Sequence, residues 1–161
     1  MNRELLITDA NVLIDFYLAD PELILFLCKE FKVKISKVVM DEIAQFTHAE
    51  AIDFGIEILE TEDAAKLNIP ELNRLSLQDK SCIVLTEKLN ASCLTNDKRL
   101  KTFLEQKGFK TYWAMEMILL LIKRNYINKE RGTLIANKIF EINLWYKEDI
   151  RNEFLYKLEK V

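Results

Sequence analysis

Two short apolar runs in this chain end at acidic turns, and each is followed by a helical pattern. Glu4-Leu5-Leu6-Ile7-Thr8 runs into Asp9, and Ala91-Ser92-Cys93-Leu94-Thr95 runs into Asn96-Asp97. Apolar runs of this length, bounded by turn residues, read as buried strands. Residues 32–36, 55–59 and 109–113 supply three further short strands. Helical patterns fill the intervals. Asp20-Pro21 caps and starts a helix through about Phe31. Ser36 caps a helix that carries Val39, Ile43 and Phe46 on one face. After Pro70, Ser76 opens a helix to about Leu89, and Asn96-Asp97 leads into another that ends at Gly108. Residues 114–124, 130–143 and 147–158 are helical by the same reading. Strands alternating with helices predict an α/β fold around a central, mostly parallel five-stranded sheet.

Ligands of such sheets bind beyond the carboxyl ends of the strands. Asp9 and Asp97 end two different strands, so a parallel sheet delivers both to one edge. Glu42 and Asp79 are placed in the first two turns of helices that can start near that edge. Each acid also has a plain structural use. Asp9 can begin a turn, Asp97 can cap a helix, Ser76-Leu77-Gln78-Asp79 can form a capping box, and Glu42 can be a solvated flank residue. Together, without matching cations, four converging carboxylates repel one another and raise one another's pKa values. A divalent cation removes the conflict. All-oxygen ligation suits Mg2+ or Mn2+, and a single histidine argues against catalytic zinc. The chemistry that uses such a site is phosphodiester hydrolysis. Asn11, Thr95 and Asn96 stand beside the strand-end aspartates, where they can orient a carboxylate or hold a water. A phosphatase that uses an aspartate nucleophile wants a second aspartate two residues on, and Asn11 cannot act as its acid or base.

At these residues the chain resembles the PIN-domain ribonucleases. Thr8-Asp9-Ala10-Asn11-Val12-Leu13-Ile14-Asp15, residues 41–46 (DEIAQF), residues 77–84 (LQDKSCIV) and residues 93–100 (CLTNDKRL) look like that family's successive motifs, in order and in spacing. The resemblance covers about residues 4–125. It implies a three-layer α/β/α fold, an acidic quartet at Asp9, Glu42, Asp79 and Asp97 that is catalytic and metal-binding, and Mg2+- or Mn2+-dependent cleavage of RNA. It extends to the toxins of type II toxin–antitoxin pairs, and so implies an antitoxin partner and a homodimer. Residues 126–161 form a C-terminal helical extension, packed on the PIN-like domain of residues 1–125, that compact toxins of the family lack. The competing reading is a catalytically weak RNA- or protein-binding module on the same fold.

Composition sharpens this picture. With 161 residues, 50% of them hydrophobic, and only three glycines and two prolines, the chain suits one ordinary domain and not a disordered segment. The net charge of −3 conceals an asymmetry: residues 1–97 hold 9 Lys/Arg against 18 Asp/Glu, and residues 98–161 hold 14 against 8. In the basic part, Lys98, Arg99 and Lys101 are candidates for contacting RNA phosphates. Lys123, Arg124, Lys129 and Arg131 continue that character. Tyr112, Trp113, Trp145 and Tyr146 are base-stacking candidates that fit a core or interface better. Met117, Ile118, Leu121 and Ile122 form a stripe for the core or for self-association. Asp15 is placed in the turn entering the first helix, and His48 has no catalytic role. Cys28, Cys82 and Cys93 form no CxxC pair and read as buried thiols in a reducing compartment. The most apolar run, residues 117–122, is far short of the roughly 20 residues that span a bilayer. No leader pattern opens the chain, so the expected location is the cytoplasm, away from membranes.

Overall fold

The computed structural model describes residues 2–61 and 75–161. Five strands form one sheet: β1 (Glu4–Thr8), β2 (Phe31–Ser36), β3 (Glu57–Leu59), β4 (Ser92–Leu94) and β5 (Thr111–Tyr112). Their order across the sheet is β3-β2-β1-β4-β5, and every pairing is parallel. The expectation of a mostly parallel sheet is therefore met in full. Pairing sets Thr8 opposite Leu94, so β1 and β4 end level with each other. The strand order reverses between these two strands, which is where such sheets open a crevice.

The helices flank this sheet. They are α1 (Ala10–Ala19), α2 (Glu22–Glu30), α3 (Lys37–Met40), α4 (His48–Phe54), α5 (Leu77–Leu89), α6 (Lys98–Gln106), α7 (Ala114–Lys123), α8 (Lys129–Ile142) and α9 (Glu148–Glu159). α5 packs across β1, β2 and β4, while α8 lies along α1 with α7 beside it. Leu6, Ile7, Val12, Leu13, Phe16 and Ile35 are fully buried, and the same apolar cluster runs on through Ile135, Ile139, Tyr146 and Phe154 of the last helices. Met117, Ile118, Leu121 and Ile122 belong to it as well, so that stripe is core. Gly132 marks the closest approach of α8 to α7: a Cβ there would stand 2.4 Å from Ile122 Cδ1. The lead-in at Pro70 falls outside the described residues.

Two expectations require correction. The helix capped by Ser36 stops at Met40 and does not continue through Phe46. Tight bonds from Glu42 N to Val39 O and from Ile43 N to Met40 O turn the chain, and Ile43 and Phe46 reach the core from that turn. Thr47 then starts α4 with a full capping box, its hydroxyl on Glu50 N and the Glu50 carboxylate on Thr47 N. Glu42 therefore sits in a turn, not in a helix. Asp15, placed in a turn by the sequence, lies buried within α1. Residues 10–19 are apolar on almost every side because α1 packs against both α2 and α8, which hides the usual amphipathic signal.

Candidate functional site

A cleft of about 490 Å³ opens at the carboxyl end of the sheet, lined by Asp9, Asn11, Glu42, Asp79, Asn96 and Asp97 among others. All four expected carboxylates thus face one space, and among the described residues no lysine or arginine lines it. Three of the four also perform a structural task, the predicted one for Asp79 and Asp97, whereas Asp9, expected to begin a turn, caps a helix. Asp9 caps α1, its Oδ1 accepting from Val12 N at 3.0 Å. Asp97 caps α6, its Oδ1 accepting from Arg99 N (2.8 Å) and Leu100 N (3.1 Å). Asp79 completes a capping box with Ser76 at the start of α5. Capping fixes each carboxyl group in position, because a helix start has only a few N–H groups to offer.

Thr95 ties the two strand ends together. Its hydroxyl donates to Asp9 Oδ2 at 2.6 Å and accepts from Asp97 N at 3.0 Å. On the opposite flank, the buried hydroxyls of Ser36 and Ser81 meet at 2.7 Å and join the end of β2 to α5.

The electrostatics follow from this crowding. Burial pushes the Asp9 carboxyl up to about 6, against the bonds from Thr95 and Val12, and Asp79 adds to the rise. Asp79 is itself raised, first by burial and then by Asp97. Glu42, exposed at the rim, is raised by its partial desolvation and by Asp79. Asp79 is therefore the hub through which the other three carboxylates interact. The donor set is all oxygen, which fits a hard divalent cation. Among the described residues, however, no three His, Cys, Asp or Glu side chains already stand in the tight group that holds a metal ion. The acids share a cleft without closing on one point.

The profile of the PIN-domain family matches residues 5–160. The chain belongs to the PIN-domain family. No curated protein matches it. Among solved structures it is similar to a PilT N-terminus domain protein from the hyperthermophilic archaeon Sulfolobus solfataricus P2. That likeness has a TM-score of 0.53 at 16% identity, over 72% of this chain and 92% of the other. It is a likeness of fold. The PIN profile spans the C-terminal helices as well as the sheet, and the fold it describes is a nuclease fold.

The C-terminal helices of this PIN domain also build the cleft wall. Asn143 and Trp145, in the turn between α8 and α9, line it. That turn is held by Asp15, which accepts from Asn143 Nδ2 (3.0 Å) and from the Tyr146 hydroxyl (3.0 Å). Tyr146 in turn accepts from Asn96 Nδ2 at 2.6 Å, and Asn96 Oδ1 accepts from Ala114 N at 3.1 Å. Asn96 thereby caps α7, whose own N-cap residue Trp113 has no capping side chain. These contacts span 128 and 131 residues for Asp15, and no local pattern announces them. Asn143 is a cleft residue that sequence reasoning missed, and Trp145, weighed there as a base-stacking candidate but given to core or interface, lines the cleft as well.

The basic residues divide. Lys98 and Arg99 are exposed beside the cleft, along a groove with Thr102, Phe103 and Gln106. Lys101 is buried: its ammonium bonds Thr111 Oγ1 (2.6 Å), pairs with Glu105 (3.2 Å) and lies over the Trp113 ring at 4.7 Å. A lysine so engaged is not on the phosphate-facing surface. Arg131 pairs with Asp20 and Glu22, and Arg124 with Glu30, so part of the basic C-terminal charge neutralises the acidic N-terminal half. His48 pairs with Asp41 on the surface at 3.0 Å. Among the described residues no helix is long and apolar enough to cross a membrane.

Proposed function

We propose that this PIN domain is a divalent-metal-dependent endoribonuclease. The observation that carries the reading is the cleft itself. Four acids from four separated motifs line one space at the strand-order reversal, and among the described residues no lysine or arginine lines it to balance them. In this reading Asp9, Asp79 and Asp97 hold Mg2+ or Mn2+, and Glu42 is either a further ligand or the group that positions the attacking water. Bound there, such an ion supplies charge neutralisation at the phosphate and acidifies a water. Thr95 fixes the rotamer of Asp9 through its 2.6 Å bond. Asn11, exposed on the cleft wall, offers an amide to an incoming phosphate or water. Lys98 and Arg99 supply affinity for the RNA backbone without reading sequence.

The test is Mg2+-dependent cleavage of a single-stranded RNA by the purified protein, compared with Asp9→Asn and Asp97→Asn. Asparagine is as good an N-cap as aspartate, so these variants keep α1 and α6 while losing the charge. Strong loss in both supports the reading, and equal activity in all three proteins defeats it. The toxin role is the biological form of the same proposal. Co-expression with the product of an adjacent reading frame must then abolish cleavage by forming a complex.

A further inference from the structure

A second cavity, of about 320 Å³, shares a wall with the acidic cleft, because Asn96 and Trp145 line both. Its character is different. Trp113, Trp145, Leu119 and Ile150 make it largely apolar, with Lys98, Glu116 and the Lys157–Glu153 ion pair (2.9 Å) as its charged lining. The two indoles lie 6.5 Å apart, tilted by 38°. Each is held from behind: Lys101 covers a face of Trp113 at 4.7 Å, and Tyr146 meets Trp145 edge-on at 5.0 Å. Trp145 nevertheless keeps 45% of its surface exposed. A large, fixed and partly bare indole between an apolar cavity and a phosphate-chemistry cleft is costly to leave in water.

We propose that this cavity receives an unpaired base of the RNA whose backbone crosses the acidic cleft, with Trp145 as the stacking platform. The proposal rests on the nuclease reading for the identity of its ligand. Three features select a base over an apolar peptide. The cavity is continuous with the acidic cleft through Asn96 and Trp145. Lys98 lines its edge and also borders the exposed groove with Arg99, so a basic path leads from the cavity to that groove and can serve a flanking phosphate. Single-stranded RNA is recognised by splaying bases onto aromatic side chains. A base stacked within a duplex cannot enter the cavity, so the site takes an unpaired one.

The chain has two tryptophans, Trp113 and Trp145, and both line this cavity, so tryptophan emission reads it directly. An eight-nucleotide single-stranded RNA is titrated into the full-length protein in EDTA, where cleavage does not intervene. It is compared with the same oligonucleotide carrying one abasic site at each position in turn, and with a blunt hairpin. The expected result is saturable quenching, weakened about 5- to 150-fold by an abasic site at one position. Trp145→Ala gives a similar loss of affinity, measured by anisotropy of a labelled RNA, and Trp145→Phe restores most of it. Trp145 is half in solvent, so its truncation leaves the core intact. RNA that is cleaved with Mg2+ but binds without changing the emission, and equally well with every abasic site, overturns the base site and leaves the nuclease reading standing. Base-dependent quenching without any cleavage upholds the site and sinks the nuclease reading. An emission change produced by an apolar peptide and not by RNA overturns the proposal in favour of a protein-docking groove.

Discussion

Asp9 and Asp15 lie six residues apart, at the start and in the middle of α1. Burial raises the carboxyl pKa of both. Around Asp15 the protein answers with neutral donors: Asn143 and Tyr146 bond its two oxygens and lower the cost of its charge. Around Asp9 it supplies Thr95 and a helix N–H, and then places Asp79 near enough to push the other way. One site is a finished structural node that binds the last helices to the first. The other is left electrostatically incomplete, and it shares its cleft with three more acids. Strain of this kind at a cleft, with a satisfied counterpart nearby, separates a functional carboxylate from a structural one better than burial does.

The largest expected effect that would break this contrast is on chemistry. Asp79→Asn should cut Mg2+-dependent cleavage by at least about 10²-fold, beyond the losses typical of partners behind a metal ligand. If it does not, Asp79 is not the hub of the site. Next, Mn2+ in 100-fold excess over its Kd should add about 2.7 kcal/mol of stability to the native protein, read as a rise of several degrees in Tm. Asp79→Asn should abolish that gain, and Asp15→Asn should leave it. At the other node, Tyr146→Phe removes a donor from buried Asp15 and should cost about 1–3 kcal/mol in urea unfolding.

The pH dependence sharpens the same comparison. In the metal-free protein the folded-state pKa of Asp9 lies above its unfolded value of 3.8, at about 6. The native state therefore holds a proton that the unfolded state has released, and Asp9's contribution to stability falls as pH rises from about 4 through about 6. Asp9→Asn should flatten that fall, which urea titrations in EDTA at pH 4, 5, 6 and 7 will show. Excess Mn2+ should reverse it, since a cation prefers the ionised form. The smallest effect is at the rim. Lys98→Ala should weaken RNA binding evenly across sequences and reduce the salt slope by about one phosphate contact.

Much of this architecture can be read along the chain. β1 begins and ends where its apolar run does, and Ser76 with Asp79 forms the capping box that its spacing announces. Local signals of this kind depend on a few neighbouring residues and survive folding unchanged. The start of α4 carries the same kind of signal in Thr47-His48-Ala49-Glu50, but extending the Ser36 helix through Phe46 passes over it. α1 was not legible in this way, since a helix covered on most sides loses its periodicity. The acidic side of the site follows from strand ends and helix starts. Its other wall does not. Asn143 and Trp145 reach the cleft only because Asp15 and Asn96 hold the α8–α9 turn, a tertiary fact with no counterpart in spacing. Lys101 shows the opposite error, a cation in a basic run that folding turns inward onto Trp113.

The placement of β1 at the centre of the sheet has a consequence in time. The central strand is synthesised before the other strands of the sheet, but its two neighbours are β2, from Phe31, and β4, from Ser92, and the donors to Asp15 come only at Asn143 and Tyr146. Closing such long loops must precede the contacts that reward it. A chain emerging from the ribosome thus carries Asp9 and Asp15 well before the wall opposite them, whose contacts to Asp15 come 128 and 131 residues later. Under the nuclease reading, the working cleft is assembled only after Tyr146 has been made, and a nascent chain shorter than that is spared an active site while it is still threaded beside RNA.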